Sequence, residues 1–333
     1  MSESTSSPGR WPAFLAGGLA AIVLLAATAQ ASEYVIPSPD TSVVGEVTVV
    51  AAREGDTLLD IARRHKLGFE EIKLANPGVD TWLPGVGTEV VVPNQFVLPD
   101  APREGIVVNI PEMRLYYYPE TGPGEQARVI TYPVSVGRGD WATPLGTTRI
   151  VRKDKNPTWR PPESIRAEHA ERGDYLPKVV PPGPDNPLGD HSLRLGLPGY
   201  LIHGTNRPYG IGMKVTHGCL RLYPEDVENL FAATSVGTPV RLVNQAAKAG
   251  WLEGRLYLEV HPTFDDSTDG RPASLTPLVN AVLQATDEPP SSEMVEWENI
   301  YATARVSNGI PSAVSATTMP VAGASSEVGR ADD

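Results

Sequence analysis

Cys219 stands two residues after His217 and two before Arg221, in Thr216-His217-Gly218-Cys219-Leu220-Arg221-Leu222, and His203 precedes it in Ile202-His203-Gly204-Thr205. It is the single cysteine of the chain. The thiolate, not the thiol, is the nucleophile, and imidazole and guanidinium neighbours lower a thiol's pKa. These residue types at this spacing predict covalent catalysis by an activated Cys219. Gly218 permits a tight turn beside it, and a helix starting near Pro224 would add a positive end. Two other readings of the same residues exist. Cys219 could be an inert buried side chain, or His203, His217 and Cys219 could hold zinc with a water in the fourth position. Three reactive types converging opposes the first, and the positive Arg221 opposes the second. A lone cysteine cannot form an internal disulfide.

The elements that must carry these residues are mostly strands. Gly105–Ile110, Arg114–Tyr118, Ala127–Val136, Gly146–Arg152, Ser192–His203 and Thr238–Val243 are β-prone. Tyr223–Ala233 reads as a helix. Between strands lies the proline-rich insertion Lys153–Asp190, with a short helix near Glu163–Arg172. A stretch of this length inside a domain predicts a lid or binding loop. Its Trp159 and Tyr175 either line a groove or anchor the loop. Farther on, Arg255–Val260 predicts a strand, and Leu275–Ala285 and Glu293–Ala304 predict helices. Residues 311–333 are rich in Ser, Ala and Gly and predict a disordered tail.

The 333 residues allow more than one domain. The formal charge of 28 − 40 = −12, with no basic cluster, excludes a nucleic-acid partner. Phe14–Ala27 is an apolar run preceded by Arg10 and followed by Ala29-Gln30-Ala31. This predicts a signal peptide over residues 1–31, with an uncleaved anchor as the alternative. After cleavage no stable membrane span remains.

Residues 46–93 predict a strand, two helices and a strand, with Asp56 as a helix N-cap. Gly55-Asp56-Thr57-Leu58, Ile61-Ala62, Ile72, Asn76-Pro77 and Leu83-Pro84-Gly85 make this segment similar to the lysin-motif domain. That resemblance implies affinity for N-acetylglucosamine-containing glycan; the alternative is a spacer of the same fold.

The His203 and Thr216–Cys219 pattern resembles the catalytic signature of the L,D-transpeptidases (YkuD-type domain). Val136-Gly137, Thr143-Pro144-Leu145-Gly146, Pro157-Thr158-Trp159 and Pro182–Gly189 support the likeness, which covers about 104–243. The implied fold is multidomain: a small βααβ lysin-motif-like domain (46–93), a mainly β, β-sandwich-like catalytic domain (104–243) with a lid insertion, and a C-terminal extension (244–310). The implied chemistry is attack by Cys219 on the diaminopimelate carbonyl of a peptidoglycan tetrapeptide stem. D-Alanine leaves, and the acyl group passes to an amine. His203 is the implied base, oriented by the backbone carbonyl of Gly204. His217 and Arg221 shape the site or bind the substrate carboxylate, and N–H groups around Gly218 and Cys219 form the oxyanion hole. Some relatives carry Asn where this chain has Arg221. No cofactor and no metal is implied. The combination with a lysin motif resembles Gram-negative periplasmic enzymes that attach the outer-membrane lipoprotein to peptidoglycan. Carboxypeptidase action with water as acceptor, and a non-catalytic wall-binding scaffold, are the alternative functions.

Overall fold

The computed structural model describes residues 32–262, 274–286 and 295–315. The signal segment (1–31) and the tail from 316 lie outside the described residues. Among the described residues no helix is long and apolar enough to cross a membrane.

The chain opens with β1 (Ser32–Val35), β2 (Val43–Ala51), α1 (Leu58–Arg64), α2 (Phe69–Ala75) and β3 (Glu89–Val97). The strand–helix–helix–strand order follows the sequence reading. Strands β2 and β3 pair antiparallel from Val43↔Val97 to Ala51↔Glu89. The cap of α1 differs from the expectation. Thr57, not Asp56, is the N-cap: its Oγ1 accepts from the Asp60 amide at 3.2 Å, and Asp60 Oδ2 accepts from the Thr57 amide at 3.0 Å. This reciprocal box satisfies two otherwise orphaned donors. Asp56 instead accepts from the Arg53 amide at 2.9 Å and pairs with Arg64.

Then come β4 (Gly105–Asn109), β5 (Arg114–Tyr118), β6 (Arg128–Pro133), β7 (Val136–Gly137), β8 (Gly146–Lys155), α3 (Glu163–Glu171), β9 (His191–Leu195), β10 (Leu201–His203), β11 (Lys214–Thr216), β12 (Leu220–Arg221), α4 (Pro224–Ala233) and β13 (Pro239–Val243). The expected Ser192–His203 strand is a hairpin, β9–β10, turning at Gly196–Tyr200. One nine-stranded sheet forms, in the order β1-β6-β5-β4-β13-β8-β9-β10-β12. Only the β4/β13 and β10/β12 pairs are parallel within it. The domain is mainly β as expected, but its core lies inside one curled sheet rather than between two sheets of a sandwich. Tyr132 of β6 and Leu220 of β12, from opposite ends of the sheet, share one hydrophobic cluster. Ser135, just past β6, bridges to Arg221 of β12, so the sheet nearly meets itself.

The central strands have no solvent face. Leu115 and Tyr117 of β5 point into the cluster enclosed by the curl, while Tyr116 and Tyr118 point into a second cluster with Leu58, Ile61, Ile72, Val90 and Phe96. Successive strand residues face opposite sides. Val107 of β4 and Val129 of β6 join the second cluster, and Ile106, Val108 and Tyr132 the first. The N-terminal unit thus covers the outer face of the sheet.

The C-terminal part contains β14 (Ala247–Leu252), β15 (Arg255–Val260), α5 (Thr276–Thr286), α6 (Trp297–Val306) and β16 (Ser312–Ala313). Residues 311–315, assigned by composition to a disordered tail, are ordered. Strand β16 pairs with β15, and Val314 is buried in the cluster that packs α5 and α6 on this sheet. Two buried carboxylates fasten this part to the rest. The Lys248 ammonium lies 2.7 Å from Glu112 and 2.8 Å from Glu259. It also donates to the Val97 carbonyl at 2.6 Å, and Glu259 accepts from the Val97 amide at 2.6 Å. His261 Nε2 lies 2.6 Å from Glu259. Glu112, Glu259 and His261 have metal-ligand spacing, but the ammonium already supplies their positive charge. Lys248→Met would leave two facing carboxylates uncompensated in the interior, which costs about 3–5 kcal/mol. Urea denaturation should show a loss of that size at pH 7.

Candidate active site

Two short strands place the reactive residues. Strands β10 and β12 run parallel with Ile202↔Leu220 and His203↔Arg221 in register. Ile202 and Leu220 enter the core. His203 and Arg221 therefore project to the other face, and Cys219 immediately precedes β12. The ladder is held on its free side by Ser135, whose amide donates to the Arg221 carbonyl at 2.8 Å. On the approach to Cys219, Gly218 has φ +95, and a Cβ there would lie 2.7 Å from Tyr200 Cε1. Only glycine fits that turn. Thr143 Oγ1 accepts from the Gly137 amide and donates to the Gly218 carbonyl, both at 2.9 Å. Thr216 Oγ1 donates to the Cys219 carbonyl at 2.6 Å.

His203 is buried, with 4% exposure. Its Nδ1 lies 2.6 Å from the Gly204 carbonyl and donates to it. That fixes the tautomer and leaves Nε2 as the acceptor. Burial, reinforced by the charge of Arg221, pushes the imidazole down to about 3, against the opposing pull of the Gly204 and Leu188 backbone. At neutral pH His203 is an uncharged base.

Cys219 is a free thiol that keeps part of its surface open. Its Sγ lies 3.7 Å from the Gly199 carbonyl. Burial pushes the thiol up, and the Leu201 backbone, Arg221 and Arg194 only partly reverse this. This corrects the expectation of a ready thiolate. The resting pair is thiol and neutral imidazole, because desolvation disfavours the charged form of each. Arg221 itself is largely buried; its Nε is buried without a hydrogen-bond partner, and among the described residues no carboxylate pairs with it.

His217 faces the insertion. Its Nε2 lies 2.8 Å from Glu168 Oε2 on α3. Glu168 also pairs with Arg138 and Arg172. Arg138 foremost, and His217 beside it, hold the Glu168 carboxyl down to about 2. Trp141 packs edge-on against the His217 ring with centroids 5.0 Å apart. Helix α3 buries none of its residues, so polar contacts such as these hold the insertion against the catalytic loop. Within the insertion, Trp159 and Val180 exchange backbone hydrogen bonds of 2.9 and 2.8 Å, while Tyr175 is exposed. Trp159 thus sits where the loop is pinned. Glu168, Arg138 and Tyr200 were not legible as partners of the site. They lie far from Cys219 in sequence, and only the fold brings them close.

His203, His217 and Cys219 do not bring three ligand atoms within 4.8 Å of one another, unlike the Glu112 cluster.

The YkuD family model, the L,D-transpeptidase catalytic domain, matches residues 103–242. YcfS of Escherichia coli K12, named a probable L,D-transpeptidase, is 42% identical over 83% of this chain and 86% of its own length. The chain belongs to the L,D-transpeptidase family. YbiS of the same strain is 40% identical over 84% of this chain and 92% of its own. ErfK/SrfK of Salmonella typhimurium is 37% identical over 80% and 88%. Both of these are also named probable L,D-transpeptidases. The catalytic domain of an Enterococcus faecium L,D-transpeptidase aligns with 19% identity and a TM-score of 0.32, over 44% of this chain and 100% of that one.

In this L,D-transpeptidase the shifted groups set the pH response. His203 binds fewer protons folded than unfolded between its ordinary value of 6.5 and about 3. Stability therefore falls as pH drops through that window. The acid limb of kcat/KM should lie well below 6.5. Alkylation of Cys219 by iodoacetamide should still be accelerating at pH 9, the ordinary thiol value. A plateau reached near pH 7 would contradict this assignment.

Proposed function

We propose that the site performs acyl transfer on peptidoglycan stem peptides. The observation that carries this reading is the His203 Nδ1–Gly204 carbonyl contact of 2.6 Å, which leaves Nε2 as a base, with Cys219 two residues before Arg221, the register partner of His203. Cys219 Sγ attacks the diaminopimelate carbonyl that bears D-alanine as its proton passes to His203 Nε2. That proton goes to the departing amine, D-alanine leaves, and a thioester remains. An acceptor amine attacks the thioester, gives its proton to His203, and the restored thiol departs. Concerted proton transfer suits a pair in which neither partner is charged at rest. The Gly218 amide already donates to Thr216 Oγ1 at 3.2 Å, so the oxyanion reading shifts to the Cys219 amide. The buried, unpaired charge of Arg221 is a seat for a substrate carboxylate. The acceptors proposed are the amine of a second stem peptide or a lysine of an outer-membrane lipoprotein. Water as acceptor would make the enzyme a carboxypeptidase.

We further propose that the protein is exported to the periplasm, with cleavage after Ala31, and that the lysin-motif-like unit binds glycan. Supporting the second, Trp82, Leu83 and Val86 of this unit are exposed apolar side chains, with Trp82 66% exposed. An indole face of this kind stacks on a sugar ring.

Purified protein incubated with tetrapeptide muropeptides and candidate amines should release D-alanine and form new amides, detected by mass spectrometry. Cys219→Ala should abolish turnover. His203→Ala should slow it by about 10²-fold or more. A tripeptide product without any new amide identifies the carboxypeptidase, and no turnover identifies the scaffold. Trp82→Ala should weaken co-sedimentation with sacculi; unchanged sedimentation makes the Trp82 indole irrelevant to glycan. Intact mass of the exported form tests the cleavage site.

A further inference from the structure

The chain between His203 and Cys219 leaves the catalytic sheet, bends at Pro208–Gly210 and returns through β11. The outer bend is not held by the sheet alone. The Ile211 carbonyl accepts from the Phe69 amide at 2.9 Å, and the Gly212 carbonyl accepts from the Glu70 amide at 3.2 Å. Both donors belong to α2 of the N-terminal unit. Backbone meets backbone there: a Cβ on Gly212 would lie 2.4 Å from Gly68 Cα, and one on Gly68 would lie 2.7 Å from Gly212 Cα. Gly68 is itself fixed, since its amide donates to Glu71 Oε2 at 2.5 Å. Glu71 in turn receives two hydrogen bonds from the buried Arg114 of β5, at 2.7 and 2.8 Å.

The same unit grips the chain again beyond the nucleophile. Tyr223 Oη donates to the Leu67 carbonyl at 3.2 Å. Lys66 Nζ lies 3.0 Å from Asp226, and Arg63 makes two hydrogen bonds of 3.0 Å to Glu225. His217 and Cys219 thus lie between two grips, at 211–212 and 223–226. A tether would touch the enzyme only through a linker. This unit instead contributes main-chain donors to the catalytic loop.

We propose that the lysin-motif-like unit is a positioning element of the active site, acting through the Gly68–Gly212 contact and the Arg63–Glu225 clamp to hold the loop that carries His217 and Cys219. This deepens the acyl-transfer reading, but its test does not depend on that reading. Small displacements of a nucleophile cost on the order of 10²-fold in rate.

The test uses the full chain and three variants. Gly212→Ala pushes the loop off the unit. Arg63→Gln opens the half-exposed clamp on Glu225 and keeps the assay informative if Gly212→Ala does not fold. Gly78→Ala strains the same unit at φ +93 with nothing within 4 Å of the new Cβ, and so controls for loss of stability alone. The readouts are the rate of Cys219 labelling by iodoacetamide, corrected for folded fraction, and kcat and KM on a tetrapeptide that carries no glycan. Gly212→Ala should slow labelling and lower kcat about tenfold or more, with KM little changed. Arg63→Gln should slow labelling two- to threefold, and Gly78→Ala should leave it as in the parent. The proposal is overturned if the folded Gly212→Ala and Arg63→Gln proteins label at the parental rate, or if Gly78→Ala slows labelling as much as they do. If no acyl transfer is found with any substrate, the labelling comparison still decides the positioning claim.

Discussion

Strand β5 is buried on both sides, and this constraint propagates through the molecule. Its even-numbered residues include Arg114, a charged side chain with 0% exposure. A guanidinium in that position must be paired, because an isolated buried charge costs far more than a fold's net stability. Glu71 provides the pair from α2, Phe96 stacks under it at 4.1 Å, and Thr131 Oγ1 accepts a third hydrogen bond at 2.9 Å. Each partner lies on a different element, so burying Arg114 registers α2, β3 and β6 against β5 at once. Helix α2 then reaches the catalytic loop.

The C-terminal part repeats the device with the charges arranged differently. There a lysine sits between two glutamates, and the junction joins β3, β5 and β15 through Val97, Tyr116 and Glu259. Three hydrophobic clusters, each modest alone, are thereby fixed in one relative geometry. Buried ion pairs add little net stability compared with apolar replacements, but they penalise any other arrangement strongly. That asymmetry suits a protein whose reactive loop depends on how its units are seated.

At the active site the controlling effect is desolvation rather than charge attraction. It lowers the imidazole and raises the thiol, so both are neutral when no substrate is bound. An ionic assembly of Glu168 with Arg138, Arg172 and His217 lies at the exposed insertion. The insertion meets the segment Thr216–Cys219 through His217.

The sequence by itself singled out Cys219 and His203 as the candidate nucleophile and base, because a lone cysteine between histidine and arginine has few inert explanations. It also determined most strands and the βααβ order, through apolar periodicity and turn residues. Arg114–Tyr118 and Arg255–Val260 were legible to the residue for that reason. Strand β14 was not, since Ala247–Leu252 mixes small and long side chains without alternation, and its pairing with β15 defines it. The cap at Thr57 escaped because Asp56 and Thr57 are both competent, and only the backbone decides which oxygen reaches N3. Tertiary structure alone decided the direction of the Cys219 shift, which depends on how many protein atoms surround the sulfur rather than on which charges stand beside it in sequence. It alone also decided that the N-terminal unit covers the catalytic sheet, because the alternation in β5 places tyrosines on both faces and no local pattern says what covers the second.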